Sequence, residues 1–443
     1  MPIPMATPTL RHFAPQCKVI AKTWRGEVHD LTEWLHSWDT TRAIAQAAGT
    51  FTLNLDAGGA LGDTWGDRIR PMDYLEIQAG YHGQLQTVWR GFTDTAYATV
   101  SLGQSGGPSE PLAVVQGRDY GKLAATTMQI LYLWQLGAMR DHRALIAAGF
   151  PDFALQVNYG IQTVRPYTVP AFFAQLDRHI AAPYLQKLSA RFPDGGVLPF
   201  TYQVTFPDWI RVQFAQAPSY TGALFNLWSY YAAAPYAECF ITDTPAAPTV
   251  VARIPPYKTL RGGIIAPGQD PFLDTLTVDA AEVYQATLGR SDQDMATFFF
   301  TYGDMGNVTA QTEGQFAGQP HDPIYNSTMA ELWGIQPLAT ASPLVNVFDG
   351  SGKRKVYVEN YRTVAERLND WLAQAMTPNA AFYAGTLQIQ GNPDAIIGRY
   401  LTIPQWSFHG YIAGVQHQFT AIGGPNPQWT TTLSVVRGVY GRA

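Results

Sequence analysis

The sequence predicts an α+β fold that is mainly β. Two similar antiparallel β units, one toward each end of the chain, flank an intermediate region of mixed helix and strand. Three observations carry this prediction. A short motif near residue 117 returns near the C-terminus, period-two alternation dominates both ends, and helical spacing is confined to the middle and to one insertion.

The repeat comes first. Ala113–Gly121, AVVQGRDYG, matches Ser434–Gly441, SVVRGVYG. Three more matches lie upstream in the same order: Gly49–Leu55 with Gly385–Gln390, Tyr74–Ile77 with Tyr400–Ile403, and Trp89–Thr93 with Ile412–Gln416. The offset falls steadily, from 336 (Gly49 to Gly385) through 326 (Tyr74 to Tyr400) and 323 (Gly91 to Gly414) to 321 (Gly117 to Gly438). The largest contraction falls at AGGALGDTWGDR, a Gly/Asp-rich loop that shortens at little cost. Order-preserving matches of this kind point to one unit used twice.

Each matched piece reads as a strand. Phe51, Leu53 and Leu55 alternate with Thr52 and Asn54, Leu75 and Ile77 with Tyr74 and Glu76, and Leu401 and Ile403 with Tyr400 and Thr402. Gly91 and Gly414 sit inside strand-like text, where glycine marks a bulge or bend. Short strands separated by turns predict a small barrel or sandwich at each end.

In the middle, apolar spacing predicts a helix from Tyr120 to about Leu136 and another at AFFAQLDRHI, behind Pro170. Tyr202–Phe214 reads as strand, and Leu224, Leu227, Trp228 and Tyr231 mark one face of a buried helix. Asn360–Thr377 is an amphipathic helix, with Tyr361, Val364, Leu368, Trp371, Leu372 and Ala375 on one face and Pro378 as its stop. Domains are expected at residues 1–119, 120–267 and 268–443, the last carrying the helical insertion near 360–377.

Composition bounds the function. A chain of 443 residues holds two or three domains. Only 14% of residues are charged, where about 25% is usual, which implies a surface hidden against partners. The net charge is −5, and the densest basic run, GKRK at Gly352–Lys355, reads as a solvated hairpin tip, so nothing suggests a nucleic-acid footprint. Two cysteines, Cys17 and Cys239, are too few for a disulfide framework or a multi-cysteine metal site and suit folding in a reducing cytosol. MPIPMATPTLRHF lacks the apolar core of a secretion signal. The apolar run Gly222–Phe240, interrupted by Pro235 and Glu238, falls short of the ~20 residues of a membrane span.

The chemical motifs are weak. Ser105 in GQSGG satisfies G-x-S-x-G, yet it lies in a Gly/Ser/Pro loop where a nucleophile elbow needs a strand running into a helix. The nine histidines lack metal-ligand spacing, and His409 and His417 stand eight apart across an expected turn. Asn307-Val308-Thr309 and Asn326-Ser327-Thr328 match the glycosylation pattern without a secretion signal to make it meaningful. No carboxylate pair is singled out for acid–base work. The expectation is a protein that is not an enzyme, with no catalytic, cofactor-binding or metal residues and no cofactor.

The middle of the chain carries Glu238, Asp243 and Arg253-Ile254-Pro255-Pro256, followed by Leu276–Asp304, a strand pair joined at Ser291-Asp292. The terminal pattern is written by Gly391, Ile396, Gly398, Leu401, Ile403, Tyr411, Gly414, Val415, His417, Phe419, Leu433, Val435, Arg437 and Gly438. In these stretches the chain resembles the baseplate hub proteins of contractile-tailed bacteriophages. The resemblance spans most of the chain, and Gln129–Pro199 is its weakest part.

The resemblance implies two duplicated tail-tube-like β barrels per chain and a homotrimer. Three chains would then set six similar barrels in a ring, adapting a sixfold tail tube to a threefold spike around a central channel. Implied partners are the tail tube or a tube-initiator protein on one face, the central spike on the other, baseplate wedge proteins at the periphery and a tape-measure protein in the channel, with no membrane anchor. Such a chain is a structural virion protein of the tail baseplate, synthesised in the bacterial host cytoplasm. Gly49–Gly121 and Gly385–Gly441 would line the channel, Tyr120–Pro267 would brace the ring, and Thr402→Lys would break it. The rivals are a tail-tip hub of a flexible-tailed phage or injection apparatus, a tail-associated cell-wall hydrolase with paired carboxylates of shifted pKa, and a carbohydrate-binding β module with an exposed aromatic platform.

Overall fold

The computed structural model describes residues 14–59, 62–100, 111–133, 167–212, 219–232, 234–261, 263, 275–303, 322–344, 354–421 and 427–441. The first run of alternating sequence forms β1 (Pro15–Lys22), β2 (Val28–Asp30), β3 (Leu35–Ala43), β4 (Thr50–Asp56), β5 (Tyr74–Tyr81), β6 (Gln84–Thr99) and β7 (Leu112–Asp119). In β4, Phe51, Leu53 and Leu55 are buried while Thr52 and Asn54 are half-buried, as the alternation requires. Spatial order is β3–β4–β7–β6–β5–β1–β2, antiparallel throughout.

The middle holds β8 (Gln129–Leu133), β9 (Tyr167–Thr168), β10 (Thr201–Thr205), β11 (Arg211–Val212), β12 (Ser219–Ala223), β13 (Glu238–Asp243) and β14 (Pro248–Arg253). The expected helix behind Pro170 is present as Val169–Leu176, capped by the Thr168 hydroxyl accepting from the Ala171 N–H at 3.3 Å; helical turns continue to Ser189. Leu224, Leu227, Trp228 and Tyr231 lie buried on the helix Leu224–Ala232, as their spacing predicts. The helix expected over Tyr120–Leu136 is cut short. Leu123–Thr127 makes one wide turn, and Gln129–Leu133 becomes a strand because it pairs with β12. Tertiary pairing there overrides local spacing. The strand expected over Tyr202–Phe214 is split into β10 and β11.

The remaining strands are β15 (Thr275–Thr277), β16 (Val283–Gly289), β17 (Phe298–Gly303), β18 (Ile324–Tyr325), β19 (Pro337–Ser342), β20 (Tyr383–Gln390), β21 (Tyr400–Ile403), β22 (Phe408–Thr420) and β23 (Gln428–Tyr440). Six of them are ordered β16–β20–β23–β22–β21–β15, with only the β21–β15 pair parallel. The strands around the Ser291-Asp292 turn are not a pair: β16 adds to this set, while β17 forms a small separate sheet with β18 and β19. Arg354 and Lys355 of the GKRK run open the helix Arg354–Met376, so half of the expected hairpin tip is helical. That helix buries Leu368, Trp371, Leu372 and Ala375, the face its spacing predicts. Ser105 and the Asn307 triplet lie outside the described residues. Asn326 of the second triplet instead caps the helix Ser327–Trp333, its side chain accepting from the Met329 N–H at 3.0 Å.

The two strand sets are continuous. Gly414–Thr420 of β22 pairs antiparallel with Ser37–Ala43 of β3, giving one sheet of thirteen strands. Among the described residues neither set closes on itself, so the expected pair of barrels is instead one open sheet. Closure would require β3 to offer its outer edge to its own set, and that edge is taken by β22.

The sets nevertheless match strand for strand: β4–β7–β6–β5 corresponds to β20–β23–β22–β21. Register fixes the correspondence: it keeps the Tyr74–Tyr400 match and corrects the other three. Thr93 pairs with Gly117 as Ile412 pairs with Val435, so Gly117 corresponds to Val435 and not Gly438, and Phe51, which pairs with Gly117, corresponds to Gly385. Leu75 pairs with Gly91 as Leu401 pairs with Gly410, so Gly91 corresponds to Gly410, four residues before Gly414. Irregularities recur at the same places. Met72 and Gly398 both take positive φ, 71° and 81°. Met72 N–H donates to the Thr93 carbonyl and Thr93 N–H to Asp73; likewise Gly398 donates to Ile412 and Ile412 to Arg399. Each next residue is a bulge, Asp94 between Thr93 and Thr95 and Ala413 between Ile412 and Gly414. A further bulge falls at His36 in β3 and at Tyr284 in β16.

Three apolar cores follow. One fills the first set and recruits Phe419 and Trp429 from the second. Another fills the second set and takes Phe240 and Val251 from the middle. The largest lies in the middle region and also packs Phe299, Leu368 and Trp371.

Candidate functional site: a buried polar seam and two open edges

Both strands of the β13–β14 hairpin are buried along their whole length, and the motif residues Glu238, Asp243 and Arg253 all lie on them. Its turn is gripped by the first set. Arg90, on β6, donates through Nη1 to Asp243 Oδ1 at 2.7 Å and to the Thr244 carbonyl at 2.9 Å, and through Nη2 to the Pro245 carbonyl at 2.8 Å. Asp243 Oδ2 is buried and has no hydrogen-bond partner among the described residues. Burial pushes Asp243 up to about 6, against the pull of Arg42 and Arg90.

The open end of the hairpin is gripped by the second set. Arg253 Nε donates to Glu238 Oε1 at 2.7 Å, and Nη2 donates to the Gly398 carbonyl at 2.7 Å and to the Tyr411 hydroxyl at 3.0 Å. The Tyr411 hydroxyl donates in turn to Glu238 Oε1. Burial pushes Tyr411 well above the usual phenol range, and the Glu238 charge adds to it. Burial alone would lower Arg253, but Tyr411 and Glu238 outweigh it and hold the guanidinium charged. Gly398 is required here: a Cβ on it would stand 2.5 Å from the Phe240 ring and 2.9 Å from Arg253.

Arg437, also from the terminal pattern, makes a third tie. It lies 4.4 Å from the Tyr257 ring and 4.0 Å from the Phe382 ring, donating to the Ala375 carbonyl at 2.8 Å and Asn379 Oδ1 at 2.7 Å. Burial lowers it to about 10. The end of the helix Arg354–Met376 is thereby fixed to β23.

Where hairpin and sets meet lies a narrow cleft, lined by Thr40, Arg42, Trp89, Asp243, Val415 and His417 among others. Arg42 stacks 4.2 Å from the Trp89 ring and donates to Asp119 Oδ2 at 2.8 Å. His417 Nδ1 lies 2.9 Å from Thr431 Oγ1, and burial, helped by Arg42, lowers it to about 3. No turn separates His409 from His417, since both lie on β22; His409, near the start of that strand, meets Thr402 Oγ1 at 3.0 Å. Among the described residues no group of three His, Cys, Asp or Glu side chains is placed to hold a metal. The seam joins parts of one chain: its charges meet partner charges and backbone carbonyls, and they lock the hairpin to both sets. Tyr411 belongs to the terminal pattern read from the sequence, whereas Arg90 was not singled out, since a lone Arg inside an alternating strand reads as an ordinary surface position.

Among the strand edges left without a neighbouring strand in the described residues, two are of interest. Beyond Thr93, β6 has β7 on one side and no strand on the other among the described residues. β16 likewise pairs only with β20 and is exposed over Tyr284–Thr287. Neither Thr95–Thr99 nor β16 contains a charged residue or a proline.

No family model matches the chain, and no curated protein does. Solved structures do. The 43 kDa tail protein of prophage MuSo2 from Shewanella oneidensis superposes with a TM-score of 0.50 at 12% identity, over 96% of this chain and 98% of that one. A tail protein from Neisseria meningitidis gives 0.47 at 10% identity, over 95% and 96%. A type VI secretion component from E. coli, itself similar to tail proteins gp27 and gp5 of bacteriophage T4, gives 0.40 at 8%, over 95% and 76%. At these identities the first likeness establishes the fold, and the other two add no argument. The chain has the fold of a phage tail protein along nearly its whole length.

Proposed function

We propose that the chain is a structural tail protein, the baseplate hub, which assembles as a trimer around a central channel. The observation that carries this reading is the pair of strand sets that repeat order, register and bulges within one tail-protein fold. Three copies present six equivalent sets, so a threefold assembly meets a sixfold tube on one face and a threefold spike on the other. Charged residues are only 14% of the chain, in keeping with large faces covered by neighbours. The sets, about residues 14–119 and 275–441, form the ring in this reading; the middle region and the small sheet around β17 brace it and meet the peripheral baseplate proteins.

A tail-tip hub of a flexible-tailed phage or of an injection apparatus would use the same architecture. Thr402 is a poor place to test the ring, because β21 is covered by β15 on one side and β22 on the other. Native mass spectrometry of the purified protein, alone and mixed with its tail spike, is the direct test. Three copies support the hub, and a monomer under both conditions overturns it.

A further inference from the structure

The chain contains its own template for joining copies. Inside it, β22 continues past its bulge at Ala413 and pairs with β3 of the other set, Gln418 opposite Asp39 and His417 opposite Thr40. The element corresponding to β22 is β6, which continues past the equivalent bulge at Asp94 into Thr95–Thr99, with β7 on one side and, among the described residues, no strand on the other. The short helix Trp65–Arg68 packs against the Tyr97–Ala98 backbone through Gly66 and leaves Thr95, Tyr97 and Thr99 exposed. The element corresponding to β3 is β16, which shares its bulge, at Tyr284 for His36, and whose outer edge is open. One joint of this kind is therefore made within the chain, and the two halves of a second, equivalent joint are left unmated.

We infer that a second copy of this chain mates them, β16 of one copy pairing antiparallel with Thr95–Thr99 of the next. The register follows from the matched bulges. Thr99 corresponds to Gln418 and Thr287 to Asp39, so Thr99 of one copy faces Thr287 of the other, and Ala98 faces Leu288. The contact is head-to-tail, so each copy uses one edge of each kind, and copies linked this way close into a ring or extend without limit. Closure at three copies rests on the hub reading above; the identity of the edges does not.

The chemistry of the edges supports the pairing. Open strands in soluble proteins are guarded by charge, proline or brevity. The other exposed border of the sheet follows that rule, with Pro15, Lys18 and Lys22 on β1 and Asp30 on the short β2. Thr95–Thr99 (TAYAT) and β16 (VYQATLG) carry neither charge nor proline, and they expose Tyr97 and Tyr284, 44% and 59% accessible. Both are rich in residues that favour pleated surfaces.

The test is disulfide trapping in a Cys17→Ser background, which leaves only the buried Cys239. Thr99 and Thr287 are both exposed, so substituting them leaves the cores intact. A Thr99→Cys/Thr287→Cys double variant should cross-link between copies on mild oxidation, in a ladder that ends at the closed ring. An equimolar mixture of the two single variants should give a covalent dimer, and either single variant alone should give none. A three-copy assembly by native mass without these cross-links overturns the edge assignment and leaves the hub standing. A protein that stays monomeric, at high concentration and with the spike present, overturns both.

Discussion

Met72 and Gly398 hold the same left-handed turn in the two strand sets, at φ of 71° and 81°, and each passes the chain to the same pair of backbone hydrogen bonds. Only the second position is crowded, by Phe240 and Arg253. Gly398→Ala should therefore cost about 2–4 kcal/mol, combining left-handed strain with overpacking. Met72→Gly relieves strain while losing packing and should stay within about 1 kcal/mol of the parent. Urea denaturation reads both; equal effects at the two sites would contradict the account.

Arg253 is buried with Glu238 and Tyr411, so removing it leaves a carboxylate without its charge partner. Arg253→Met should destabilise by about 3–5 kcal/mol. Adding Glu238→Gln should recover part of that loss, because the stranded charge is gone. A double-mutant cycle measures the coupling, and strict additivity would show that the pair does not act as one unit.

The seam also sets a pH dependence. His417 is lowered from the usual 6.5 to about 3, so between those values the unfolded chain binds a proton that the folded one refuses. Its contribution is whole above about pH 6.5 and is lost as pH falls toward 3. Asp243, raised by burial from 3.8 to about 6, acts oppositely, since the folded chain binds the extra proton between about 4 and 6. The histidine shift is the larger. Stability should fall on acidification from pH 7 to 4, less steeply in His417→Gln and more steeply in Asp243→Asn. Denaturation midpoints across that range decide it, and unchanged slopes in both variants would rule the mechanism out.

The joint within the chain is braced by Trp38 on β3, stacked on Phe419 of β22 with ring centroids 5.6 Å apart. Phe419 belongs by sequence to the second set and by packing to the core of the first. Phe419→Ala should cost about 3–5 kcal/mol and lower hydrogen-exchange protection in β3 as well as β22. Loss of protection confined to β22 would mean that the joint does not couple the sets.

Much of this was legible in the sequence where the pattern is local. Leu224, Leu227, Trp228 and Tyr231 mark a helix face by spacing alone, and Phe51, Leu53 and Leu55 mark a strand. The segment after Tyr120 was misread because ILYLW is apolar at every position, so it carries neither period, and pairing with β12 decides its state. The repeat was found, but Gly410 and Gly414 offer equal anchors four residues apart, and only hydrogen-bond register separates them. The joint of β22 to β3 brings together residues more than 370 positions apart, and a single sequence carries no signal for such a contact. Of the seam, Glu238, Asp243, Arg253 and Tyr411 stood out by pattern, while Arg90 and Arg42 gained their roles only from the fold.

The central claim is that copies of this chain build a ring from equivalent strand sets, and single-particle imaging of the purified protein tests it most directly. The account predicts three copies in threefold symmetry, with six similar lobes around an open channel and continuous strand pairing between copies. A compact monomer, or an assembly whose two strand sets do not alternate around a common axis, would contradict it.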